Sequence, residues 1–272
     1  MAQVWDLKCG SQKAVLRSPW GYRLYGSFSP DSKLVVTAGR EDIHLWCAET
    51  GSLVAEIDCY PSLVRNPHHP GHGIIPTTTD ANFSPDGSCV LTINYCGVAV
   101  VWNLDSHAPS VVQRDRGSMH HLYAAGSFSP NGDAVVVSDG DGTAKIRDAK
   151  SGEVKAVLEG HVNRVFAPFP RQFTSASFSP NGDAVVTCSD EGFAMAWDAA
   201  TGLRRLVIPE RTDDSPFPDY RIQSCQFSPD GKYVVAGCDD NLARILEAAT
   251  GTCTMTLDGH AACVHDAVFR PH

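Results

Sequence analysis

The sequence predicts an all-β protein, a β-propeller built from four-stranded antiparallel blades. Three observations carry that expectation. The decapeptide SFSPNGDAVV occurs twice, at Ser127–Val136 and at Ser177–Val186. Phe-Ser-Pro recurs from Phe28, Phe83, Phe128, Phe178 and Phe227, with a worn copy at Phe269-Arg270-Pro271. The spacings are 55, 45, 50, 49 and 42 residues, and a period of about 40–50 residues suits four short strands per unit. No stretch sustains a helical period in its apolar residues.

Each unit reads in the same order. A first strand ends in Phe-Ser. A turn follows, Pro-Asp-Gly at Pro85 and Pro229 and Pro-Asn-Gly at Pro130 and Pro180. Pro presets φ for such a turn, and Asn, Asp and Gly tolerate the positions after it. An apolar second strand comes next: LVVTA from Leu34, AVVVS from Ala134, AVVTC from Ala184, YVVAG from Tyr233. After a polar turn, the third strand ends near an aromatic, as at Trp46, Trp102 and Trp197. A turn closing on Gly51, Gly152, Gly202 or Gly251 leads to the fourth strand: SLVAEI, EVKAVL, LRRLVI or TCTMTL.

Complete units are expected near 22–57, 79–113, 122–158, 173–208 and 221–257, within one domain over 1–272. A third strand (Gln3–Asp6), a fourth (Lys13–Arg17) and a C-terminal first strand (Val264–Phe269) remain. Joined, residues 1–20 and 258–272 would make an incomplete sixth blade without its second strand. Such a sheet leaves backbone groups unpaired, so the competing expectation is a fragment of a larger propeller.

Composition bounds the function. Lys and Arg number 22 against 31 Asp and Glu, a formal charge of −9. That excludes coating of nucleic acid or an anionic membrane through bulk charge. No apolar run approaches the roughly 20 residues that span a bilayer. The opening MAQVWDLKCG shows no basic stretch followed by an apolar one. The expected location is intracellular: the cytoplasm, with the nucleus also open. The ten cysteines form no CxxC pair and are expected to be buried free thiols.

At this point the chain resembles the WD-repeat family, whose unit ends in Trp-Asp and whose inter-blade loop carries Gly-His. Trp-Asp stands at Trp5-Asp6 and Trp197-Asp198, and is altered at Trp46-Cys47, Trp102-Asn103, Arg147-Asp148 and Leu246-Glu247. Gly-His stands at Gly160-His161 and Gly259-His260. The resemblance implies a network inside each blade of His, a strand Ser or Thr, a turn acid and Trp. Asp141 and Asp240 match the turn acid and Glu191 is a longer substitute. The unit with His161, Glu191 and Trp197 keeps most of the set, so several blades are expected to rely on apolar packing instead.

No catalytic pattern emerges: HExxH, a P-loop, GxSxG and a dinucleotide fingerprint are all missing. Asp139, Asp141 and Thr143 imitate a calcium loop, but its sixth and twelfth positions are Ala144 and Lys150. Asn82-Phe83-Ser84 is a formal glycosylation sequon inside a strand. His68, His69, His72, His120 and His121 sit loosely in loops and do not make a metal set. No enzyme activity, metal or cofactor is expected.

In the geometry the resemblance implies, links from fourth to first strand and from second to third strand open on one end of the blades. The long links are all of the first kind: Asp58–Thr78, Arg114–His121, Glu159–Gln172 and Pro209–Tyr220. Long loops on a rigid scaffold are common binding sites. Asp42, Asp139, Asp141, Asp190, Glu191, Asp239 and Asp240 gather on that end, with Arg114, Arg164, Arg171 and Arg211 further out. The expected partner is a protein or peptide of basic character, within a larger complex, with neither nucleic acid nor membrane. The expected function is a non-enzymatic interaction scaffold. Two alternatives stand beside it: a regulatory propeller from a multidomain signalling protein, and, remotely, a channel-centred metal-dependent hydrolase.

Overall fold

The computed structural model describes residues 2–5, 10–16, 25–39, 42–58, 78–94, 98–106, 108–113, 125–138, 143–161, 173–189, 192–208 and 220–269. Every described element is a strand. An N-terminal pair, β1 (Ala2–Trp5) and β2 (Gln12–Leu16), precedes five four-stranded antiparallel sheets. The first blade holds β3 (Tyr25–Phe28), β4 (Leu34–Ala38), β5 (Asp42–Cys47) and β6 (Leu53–Asp58). The second holds β7 (Thr78–Phe83), β8 (Cys89–Asn94), β9 (Ala99–Asn103) and β10 (Pro109–Gln113). The third holds β11 (Gly126–Phe128), β12 (Ala134–Ser138), β13 (Thr143–Asp148) and β14 (Val154–Glu159). The fourth holds β15 (Phe173–Phe178), β16 (Ala184–Ser189), β17 (Ala194–Asp198) and β18 (Arg204–Ile208). The fifth holds β19 (Ile222–Phe227), β20 (Tyr233–Cys238), β21 (Ala243–Glu247) and β22 (Cys253–Leu257).

The core lies between blades. Each blade turns one face back to its predecessor and one forward to its successor. Between the third and fourth, Val136, Ile146, Ala156 and Leu158 meet Phe178, Val185, Met195 and Trp197. Between the fourth and fifth, Val186, Ala194 and Ile208 meet Cys225, Val234 and Leu246. The first and second join through Ile43, Leu45 and Ile57 against Val90, Val100 and Trp102. The N-terminal pair continues this pattern, with Val4, Ala14 and Leu16 against Val35 and Trp46. A second strand therefore has both faces covered, and every residue of β12 and β16 is buried. This is why these strands read as unbroken apolar runs rather than alternating ones. Each fully buried Val contributes about 1.5–3 kcal/mol.

Phe-Ser-Pro marks the turn from first to second strand. The hydroxyls of Ser29, Ser84, Ser129, Ser179 and Ser228 donate to Oδ1 of Asp31, Asp86, Asn131, Asn181 and Asp230 at 2.6–2.8 Å. Each also accepts the N–H of the residue five positions on, at 2.9 Å. Successive turns lean on one another: a Cβ added at Gly182 would stand 3.4 Å from the Pro130 ring, and one at Gly231 3.6 Å from the Pro180 ring. This end of the blades is thus filled by its own turns.

Two expectations change here. Residues 258–269 contain no strand, so the first strand expected over Val264–Phe269 is not formed. The segment instead lies along the fifth blade, with Val264 N–H donating to the Cys238 carbonyl at 2.9 Å and Ala267 N–H to Ser224 Oγ at 3.1 Å. Of the seven described cysteines only Cys188, Cys225 and Cys238 are buried, and Cys253 is exposed. Burial pushes the Cys225 thiol up and the Cys238 thiol to about 11, which keeps both protonated and unreactive.

Candidate functional site

The end opposite the Phe-Ser-Pro turns carries the second-to-third-strand turns and the fourth-to-first-strand links, as an antiparallel meander requires. Asp139, Asp141, Asp190, Glu191, Arg114, Arg164, Arg171 and Arg211 lie outside the described residues, as do His68, His69, His72, His120 and His121. Asp42 opens β5, opposite Asp58 of β6. Asp239 and Asp240 form the turn between β20 and β21.

Both of these turn acids are engaged within the fifth blade. The Asp239 carboxylate accepts the Arg221 N–H at 2.7 Å, while Asp239 N–H donates to the Arg221 carbonyl at 3.0 Å. That clamps the turn to the start of β19. Asp240 receives Arg244 as a fork, Nη1 at 3.0 Å and Nη2 at 2.5 Å. The Arg244 guanidinium lies 3.8 Å from the centre of the Tyr220 ring. Arg244 holds the Asp240 carboxyl below its usual range, and Asp240 in turn raises Arg244. Asp240 therefore presents a neutralised pair rather than a bare anion.

The His161 and Trp197 expectation meets a third residue. Thr187 Oγ1 stands 2.8 Å from His161 Nε2 and accepts the Trp197 indole N–H at 2.8 Å. Glu191 lies outside the described residues. The Thr–Trp bond recurs at 2.8 Å in Thr37–Trp46 and Thr92–Trp102. Three of the five blades keep this bond, and the third and fifth, among the described residues, fill the same two positions with Val137 and Arg147 and with Ala236 and Leu246. The signal was readable: Thr is the fourth residue of LVVT, CVLT and AVVT, and where Trp gives way to Arg147 or Leu246 the matching residue is Val137 or Ala236.

Sequence reasoning also missed Asp80, on the inner strand of the second blade. It accepts Asn82 Nδ2 at 2.9 Å and the Gly126 N–H at 3.5 Å. Burial first, with some help from the Asp266 charge, pushes its carboxyl up to about 6. Asn82 also donates to the Gly126 carbonyl at 3.2 Å, so the sequon side chain is employed between blades. Among the described residues no group of three or more His, Cys, Asp or Glu is placed to hold a metal, and no helix is long and apolar enough to cross a membrane.

Serially packed four-stranded blades with a Thr–Trp hydrogen bond inside define a propeller-type repeat protein. The model of the WD domain, G-beta repeat, matches residues 152–198 and 216–246. The first match runs from the fourth strand of one blade through the third strand of the next, ending at Trp197-Asp198. These matches support the WD-repeat family for the chain. WD-repeat domains are in general protein-interaction scaffolds and typically non-catalytic. No curated protein matches the chain.

Proposed function

We propose that the chain is a non-enzymatic scaffold that binds a protein or peptide on the end of the blades carrying the long links. The supporting observation is the asymmetry of the two ends. One is filled by turns that pack on each other, Pro against Gly, whereas the sequence sends its long links to the other. The acids proposed to receive a basic segment are Asp42, Asp139, Asp141, Asp190 and Glu191, with Arg114, Arg164, Arg171 and Arg211 as an outer rim. Asp239 and Asp240 contribute less, because their carboxylates are held by Arg221 N–H and Arg244. Buried cysteines at Cys188, Cys225 and Cys238 support a reducing compartment, the cytoplasm with the nucleus also open.

The test is an array of Lys/Arg-rich and Glu/Asp-rich peptides offered to the chain at two salt concentrations. Basic peptides should be retained and should weaken with salt. Asp139→Asn, Asp141→Asn and Asp190→Asn together should reduce both retention and salt dependence, while Asp240→Asn should change little. Equal retention of both peptide classes would reject the acidic face.

A further inference from the structure

The junction between the second and third blades differs from its neighbours in what fills its outer half. At a junction, the forward face presents two residues of its last strand to residues of the next blade's third strand. Ala55 and Ile57 meet Val100 and Trp102, and Ala156 and Leu158 meet Met195 and Trp197. Leu206 and Ile208 meet Leu246, while Arg244 is drawn onto Asp240 and Tyr220. Strand register puts Ser110 and Gln113 at the corresponding presenting positions of β10, opposite Val101 and Ala99. It puts Lys145 and Arg147 at the receiving positions of β13, opposite Val137 and Val135. Burial follows the chemistry. Trp102 and Trp197 are 2% and 1% exposed, whereas Ser110, Lys145 and Arg147 are only half-buried. Among the described residues, the apolar cluster of this junction draws on β8, β9, β11 and β12 and takes nothing from β10 or β13.

We propose that this junction is the seam of the chain, opening from its outer strands inward about inner strands that stay joined. In a serial array, stability is a sum of blade terms and junction terms, so opening concentrates at the weakest junction. A junction is held by the apolar area it removes from water, and this one lacks the large apolar side chains that supply much of that area elsewhere. Lys and Arg keep their charged ends hydrated and bury only their stems. Arg147 also turns a guanidinium N–H to the Gly152 carbonyl of its own blade, at 3.0 Å. Both cations stay in reach of solvent, where Trp102 and Trp197 do not. The inner half is built the other way. Leu91, Ile93 and Val101 pack on Phe128, Val135 and Val137. Gly126 lets Ile93 approach so closely that a Cβ there would stand 2.7 Å from the Ile93 Cδ1. Asn82 donates to the Gly126 carbonyl at 3.2 Å. Apolar contact and hydrogen bonding thus hinge the two blades along their inner strands.

The experiment is hydrogen–deuterium exchange of the full chain, read strand by strand by mass spectrometry. Amides of β10 should exchange at least about tenfold faster than those of β6 and β18, and amides of β13 at least about tenfold faster than those of β5, β9 and β17. Inside the hinge, β8 and β12 should exchange as slowly as β16. A variant carrying Lys145→Met and Arg147→Leu gives the seam the apolar character of the other junctions. Val137 is already an apolar partner for it, as Ala236 is for Leu246. This variant should slow exchange in β10 and β13 about tenfold and leave β17 and β18 unchanged. Exchange in β10 and β13 no faster than in the matching strands overturns the proposal, and that comparison is made on the unmodified chain whether or not the variant folds. Fast exchange of β8 and β12 overturns it too. So does a variant that is folded by circular dichroism yet leaves β10 and β13 unchanged, or that slows every blade alike.

Discussion

The fourth and fifth blades follow one backbone plan and fill its central position in opposite ways. The fourth sets a Trp197 indole against Thr187, with His161 on the other side of the hydroxyl. The fifth places Leu246 and Ala236 at the same two positions, inside an apolar cluster. The third, with Arg147 and Val137, also lacks both members. In every blade the two positions change together. A Thr facing Leu would bury an unpaired hydroxyl, and a Trp facing Ala would bury an unpaired N–H. Either costs about 1–3 kcal/mol, whereas changing both partners costs little beyond packing. The unit thus tolerates a polar centre or an apolar one, but not half of each.

The largest expected effect that sharpens this contrast is Trp197→Ala. Trp197 is 1% exposed, and its loss should cost about 3–5 kcal/mol in urea unfolding. Leu246→Ala should cost about 2–4 kcal/mol. Equal losses would show that the hydrogen bonds of the fourth blade add nothing to its packing. Next in size is a double-mutant cycle that writes the fifth blade's solution into the fourth. Thr187→Ala alone should cost about 1–3 kcal/mol. The pair Thr187→Ala and Trp197→Leu should cost less than the sum of its singles by about 1 kcal/mol. Strict additivity would break the coupling.

The same comparison has a pH dependence on the inner strands. Three residues before the Phe of Phe-Ser-Pro, the fourth and fifth blades carry Ser175 and Ser224, but the second carries Asp80. Its carboxyl sits at about 6 when folded, against an ordinary 3.8. Between these values the folded chain binds more protons than the unfolded one. This group therefore costs stability as pH rises from about 4 to about 6, by up to about 3 kcal/mol, and the loss then stays constant. Asp148 and Asp198 act the other way. The Ser151 N–H and the Arg205 guanidinium, respectively, hold them below the usual range, so their contribution is lost only as pH falls below that range. Asp80→Ser should raise stability at pH 7 and flatten the slope between pH 4 and 6 in thermal melts. An unchanged slope would show that Asp80 is not what titrates.

The repeat made the strands legible, because Phe-Ser-Pro, the apolar second strand and the Gly turns each recur at fixed phase. The junctions between blades were less so. Which face of β14 or β18 is forward depends on strand twist and neighbour order, which composition does not carry. Thr187 was readable only through its pairing with Trp across the repeats, because a single Thr in a β-branched run is already expected on strand propensity. Asp80 looked like one more polar residue in TTDANF, and only the approach of Gly126 from the next blade shows it enclosed. For the candidate face, Asp239 and Asp240 lie in the turn between β20 and β21, while Asp139, Asp141, Asp190 and Glu191 lie outside the described residues. The pairing of Asp240 was missed, since a fork to Arg244 four residues on also needs Tyr220 beneath it.

The smallest expected effect compares the first blade's turn with the fourth's. Gly182 takes a φ of 76°, and Gly87, Gly132 and Gly231 take values within a few degrees of it, whereas the first blade has Ser32 there at 60°. A side chain in this left-handed region costs about 1 kcal/mol. Ser32→Gly should relieve that strain, and the gain is partly offset because glycine frees the unfolded chain. A net stabilisation of about 0.5 kcal/mol is expected in urea titration. Gly182→Ala should lose about 1 kcal/mol through its left-handed φ, its new methyl making only an ordinary contact with the Pro130 ring at 3.4 Å. If Ser32→Gly instead destabilises, the strain at this turn is matched by a contact of the Ser32 hydroxyl. The first blade would then differ from the fourth in its bonding as well as in its sequence.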